Sequence, residues 1–144
     1  MKFEKFIKMI GPYGTILKNG GENWIMSMNC IMKCPDYTRP IGSEVLEMPE
    51  KIRDVIECCD LGEEVQLIKA FLPDADGKTS ELVRVFEDCQ SGKIGILNKM
   101  YGLIEKHDAL STAYIDDEVV ALLVEDHTGV VGAFINGDYL RGEN

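Results

Sequence analysis

Nothing in the 144 residues approaches the ~20 consecutive apolar residues that a membrane-spanning helix needs. The opening stretch, MKFEKFIKMIG, alternates charge with bulk and lacks the continuous apolar segment of a secretory leader, so a cytoplasmic protein at synthesis is expected. There is no Cys-x-x-Cys, no internal repeat, no low-complexity tract and no linker. Basic residues are scarce: 15 Lys and Arg stand against 25 Asp and Glu, for a net charge of −10. Phosphate contacts are made by Lys and Arg, so direct nucleic-acid binding is not expected. Five cysteines, an odd number in a chain without a leader, argue against a disulfide framework.

What is present has the size and the 45% apolar content of one soluble globular domain spanning 1–144. The charge is uneven. Residues 1–39 hold six Lys and Arg against three acids, +3 in sum, which leaves −13 for the rest. That asymmetry can steer the basic end of one copy toward the acidic body of another.

Turn signals recur along the chain as GPYG (11–14), NGGEN (19–23), PDADG (73–77), QSG (90–92), HTG (127–129) and NGD (136–138). The apolar runs between them read as strands of a meander. The expected strands are Phe3–Ile10, Thr15–Lys18, Trp24–Cys34, Glu64–Leu72, Leu82–Glu87, Lys93–Leu97, Met100–Lys106, Ala109–Ile115, Glu118–Glu125 and Val130–Ile135. The last two form the clearest hairpin, and their nearly continuous apolar character puts them at the centre of the sheet. Residues 94–106 fit a hairpin or a helix; the hairpin is favoured because Asn98 and Lys99 can turn and Gly102 weakens a helix.

One helix is expected near 49–59. Pro49 suits its first turn, Glu50 faces the positive end of its dipole, and Ile52, Val55, Ile56 and Cys59 form a stripe. Gly62 can supply a left-handed stop. Pro35 to Met48 reads as a long surface connection. The fold class is therefore α+β and mainly β: an antiparallel meander sheet or partial barrel with one packed helix.

The candidate chemistry centres on sulfur. In a single strand over 24–34, the even positions place Met26, Met28, Cys30, Met32 and Cys34 on one face with Trp24. Four strand positions separate Cys30 from Cys34 by roughly 13 Å, too far to share a zinc ion that needs each sulfur at ~2.3 Å. Cys58 and Cys59 diverge by ~100° on a helix. Cys89 follows Glu87 and Asp88, which oppose thiolate formation, so a Cys–His pair with His107 or His127 is disfavoured. Asp74, Asp76 and Gly77 fail the calcium-loop spacing because Gly falls two positions early. Asp116, Asp117, Glu118, Glu125, Asp126 and His127 read as solvated turns. GPYG lacks the Lys-Ser/Thr and helix of a phosphate loop. Tyr13, Tyr37 and Tyr101 read as core or cross-strand aromatics. No catalytic, cofactor-binding or metal-ligating residue is assigned, and no cofactor is expected.

The blocks WIMSMNCIMKCP (24–35), LVRVFED (82–88) and YGLIEKHD (101–108), in a short acidic chain opening MKFEKFIKMIG, resemble small phage and prophage proteins of Gram-positive bacteria. The resemblance brings no diagnostic motif and no catalytic residue. It implies a virion-associated or assembly accessory protein, or an intracellular inhibitor of host defence. The reading is a non-enzymatic protein that binds a protein partner or itself, as a homo-oligomer, with no membrane partner. The alternative is an acidic mimic or a protein that sequesters a small ligand.

Overall fold

A computed structural model describes residues 1–35, 44–58, 60–64, 66–71 and 82–142, with 58, 60–64 and 66–71 given by their backbone alone. The protein is mainly β. The large sheet contains β1 (Thr15–Asn19), β2 (Glu22–Ser27), β3 (Cys30–Lys33), β4 (Glu44–Glu47), β5 (Asp60–Glu64), β9 (Ala109–Ile115), β10 (Glu118–Asp126) and β11 (Gly129–Ile135), in the order β4-β1-β2-β3-β11-β10-β9-β5. A smaller antiparallel sheet contains β6 (Gln66–Phe71), β7 (Val83–Glu87) and β8 (Lys93–Leu97). All neighbours in the large sheet run antiparallel except β4, which lies parallel to β1 at one edge. The sheet stays open and does not close into a barrel.

The helices are short: α1 (Phe3–Ile10), α2 (Glu50–Arg53) continued by a π-helical turn (Asp54–Cys58), α3 (Asn98–Tyr101) and α4 (Gly137–Arg141). The expected helix near 49–59 is α2 with its π turn. Pro49 sits just outside it, and Ile52 and Val55 of the predicted stripe are 4% and 0% exposed.

The large sheet is buried on both faces. On one, Ile25, Cys30, Met32, Leu122, Val124 and Phe134 pack against Phe86, Ile94 and Ile96 of the small sheet, with Phe6 of α1 and Met100 of α3. On the other, Trp24, Ile31, Leu123, Ala133 and Ile135 pack beneath Met48, Ile52 and Val55. The β10–β11 hairpin supplies both layers: Leu122 pairs with Phe134 toward the small sheet, and Leu123 with Ala133 toward α2.

Several expectations are corrected. Phe3–Ile10 is a helix, because Phe3, Phe6, Ile7 and Ile10 repeat at helical spacing and dock together on the core. The stretch 24–34 is two strands, not one. Met28 and Asn29 make a turn that pairs Ser27 with Cys30, and Met28 takes φ 56° there without being glycine. The turn puts Trp24 and Met26 on the α2 side, opposite Cys30 and Met32. Within 94–106, β8 runs straight into α3, so Asn98 starts a helix rather than turning a hairpin. Part of the presumed surface connection before α2 is β4. Gly62 lies inside β5 rather than at a helix stop.

Phe6 carries the attachment of α1, being fully buried, whereas Met9 on the same helix is 39% exposed. Phe6→Ala is expected to cost about 3–5 kcal/mol of unfolding free energy. Met9→Ala is expected to stay within about 0.5 kcal/mol. Urea denaturation of both variants measures the difference; equal costs would contradict the packing of α1.

Candidate functional site

Cys30 and Cys34 are both buried and lie in the same core layer. The ladder continues through Cys34, whose N–H donates to Asn23 at 2.9 Å, so the stretch stays extended and the two sulfurs keep strand spacing. Burial pushes the Cys30 thiol up to about 12 and the Cys34 thiol up to about 11, far from the thiolate that nucleophilic or metal chemistry uses. Cys89 is exposed in the β7–β8 turn. The side chains of Cys58 and Cys59, and the Asp74–Asp76–Gly77 loop, lie outside the described residues.

Beside Cys89 is a polar node that the sequence reading did not identify. Asp88 is 5% exposed. Its Oδ1 accepts the backbone N–H groups of Gln90 at 2.9 Å and Gly92 at 2.8 Å, which shapes the turn. Its Oδ2 accepts the Thr112 hydroxyl at 2.6 Å and the Tyr114 hydroxyl. Thr112 and Tyr114 belong to β9, so one carboxylate bolts the small sheet to the large one. Gly92 is required, because a Cβ there would strike Tyr114 Oη and lie 2.8 Å from Asp88 Oδ2. Burial raises the Asp88 pKa, but the four hydrogen bonds outweigh it and hold the carboxyl below its ordinary value. Burial and the Asp88 carboxylate push the Tyr114 phenol up, so it remains a donor. Asp88 with Gly four positions on was the available signal; a carboxylate followed by Gly commonly closes such a turn.

The acidic turns are built as turns. Asp116 and Asp117 both take positive φ, 53° and 63°, linking Ile115 to Glu118 in a two-residue hairpin. Asp126 Oδ1 accepts the Thr128 N–H at 2.7 Å and the Thr128 hydroxyl at 2.5 Å, which lowers its pKa and shapes the turn carrying His127. His107 sits in an exposed turn, and Asp108 contacts the Met1 ammonium at 2.7 Å. Among the described residues, no group of three His, Cys, Asp or Glu side chains is placed to hold a metal ion.

Two surface features stand out among the described residues. One is a cleft of about 270 Å³ between the β2–β3 turn, β8 and the start of α4, whose lining includes Met28, Asn29, Cys30, Ile96, Met100 and Phe134. The other is β4. All four of its residues are exposed, with Val45 at 54% and Leu46 at 43%. The Met48 N–H donates to Lys18 O at 2.8 Å. Because successive strand residues turn their N–H and C=O to opposite sides, Leu46 bonds toward β1 while Val45 and Glu47 present theirs to the side on which no described strand pairs. Buried Met48 anchors the end of the strand at 3% exposure.

The chain matches no protein-family model, and comparison with curated proteins and with solved structures finds no match.

Two outcomes follow. Asp88→Asn is expected to lower stability by about 2 kcal/mol near neutral pH. A carboxyl lowered on folding stabilises above its unfolded pKa, and that contribution is lost as pH falls through the folded value. The gap between variant and wild type should therefore shrink on acidification; a gap constant with pH in thermal melts would contradict the node. In timed alkylation with peptide mapping, Cys89 should react first, and Cys30 and Cys34 only on unfolding. Rapid labelling of Cys30 in the native protein would contradict the core assignment.

Proposed function

We propose that the protein works by binding another chain rather than by catalysis, through strand addition at the edge of β4 that no described strand pairs. The supporting observation is an exposed Val45-Leu46 pair on an edge strand whose Val45 and Glu47 backbone groups face outward. The resemblance to small phage proteins adds the setting, a virion-associated or assembly accessory role in which the strand joins a second copy or a partner. A second reading, sequestration of a small ligand by a phage-encoded inhibitor, draws on the cleft of about 270 Å³, with mostly exposed Met28 among its lining residues. Native mass spectrometry of protein purified from its host tests that reading through a bound small molecule that Ile96→Trp displaces.

The binding reading is tested by a photo-crosslinking residue, benzoylphenylalanine, placed at Val45 and, as a control, at exposed Glu118. The expected result in the host is one or a few discrete adducts from position 45 and none from 118. No adduct from 45, or the same diffuse adducts from both positions, would overturn it.

A further inference from the structure

Resting on the reading of β4 as the binding edge, we infer that its partner is an extended segment of another protein with the pattern basic–apolar–apolar–basic, and not a second copy of this chain. The parallel register sets Val45 beside Ile16 and Leu46 beside Leu17. Side chains alternate along a strand, so each face of the edge offers one apolar residue and one glutamate: Leu46 with Glu44, and Val45 with Glu47. The ion pairs among the described residues involve Met1, Lys33, Lys93 and Arg141 as cations, and neither Glu44 nor Glu47 takes part in one. Lys18 stands beside Glu47 in the register without forming an ion pair with it.

Antiparallel pairing sets residues with outward backbone groups opposite one another, so β4 meets a second β4 either with Val45 opposite Val45 or with Val45 opposite Glu47. The first register sets Glu44 opposite Leu46, and the second sets Glu47 opposite Val45. Each sets carboxylates against apolar side chains with no cation opposite them. A partner with Lys or Arg at the two ends instead gives each glutamate an opposite charge and still covers Val45 and Leu46. The same glutamates thus disfavour one occupant and select another. The −13 carried by residues 40–144 favours approach of a basic segment from a distance.

The required pattern occurs once in this chain, as Lys5-Phe6-Ile7-Lys8. There it forms part of α1, with Phe6 fully buried. A second copy could donate it only by pulling α1 from its own core.

The test titrates the full chain with two blocked hexapeptides, Thr-Lys-Val-Val-Lys-Thr and Thr-Glu-Val-Val-Glu-Thr, followed by calorimetry and by amide shifts of β4. The basic peptide should bind at β4 about tenfold more tightly than the acidic one, from two charge pairs of ordinary cross-strand strength. The surface double variant Glu44→Lys/Glu47→Lys should reverse the preference. Equal binding of the two peptides, a preference unchanged in the double variant, or a wild-type dimer joined at β4 that the basic peptide fails to displace would each overturn the inference. If the peptides fail while the Val45 crosslinker still gives discrete adducts, the inference falls and the binding reading stands. If both fail, both fall.

Discussion

The β10–β11 hairpin carries apolar side chains on both faces, and both faces must be kept from water. Leu122, Val124 and Phe134 point to one side, and Leu123, Ala133 and Ile135 to the other, all nearly fully buried. Burying each of the larger ones contributes about 1.5–3 kcal/mol, so a single layer of cover would forfeit half of the core. The small sheet with α1 and α3 covers one face, and α2 covers the other. The Asp88 node follows from this arrangement. Apolar contact holds two sheets together without fixing their register, whereas a carboxylate bound by Thr112 and Tyr114 holds one position.

The same constraint decides how much of the fold was legible in the sequence. Lys93–Leu97 and Ala109–Ile115 were readable to the residue, and the β10–β11 hairpin nearly so, because turn residues bound them. The helix at 50–58 was readable from Pro49 and its stripe. Period-two reasoning failed at 24–34, because a strand buried on both faces has no polar side to mark its phase. The Met28–Asn29 turn was hidden as well, since it uses neither Gly nor Pro and holds a methionine at positive φ. At Phe3–Ile10 the helical stripe was visible but competed with an alternating charge pattern. β4 was obscured because Glu-Val-Leu-Glu is short and flanked by turn formers.

For the candidate site, the placement of Cys30 and Cys34 in one core layer was legible from strand periodicity. Cys30 and Cys34 are inner-face core residues whether 24–34 is one strand or two. The Asp88 node was not legible. Asp88 meets Thr112 and Tyr114 across 24 and 26 residues of chain, and only the pairing of β9 with the interior brings them together. The open edge of β4 likewise exists only once β1 is known to pair on one side of it.

With the core closed on both faces, β4 is an edge of the sheet that carries exposed apolar side chains, and no described strand pairs with its outward backbone groups. Residue-resolved hydrogen exchange of the isolated protein tests this division most directly. The account predicts the slowest amides in β10 and β11, and an alternation in β4 in which Leu46 exchanges slowly while Val45 and Glu47 exchange far faster. Val45 and Glu47 protected as well as Leu46, or β10 exchanging as fast as β4, would contradict it.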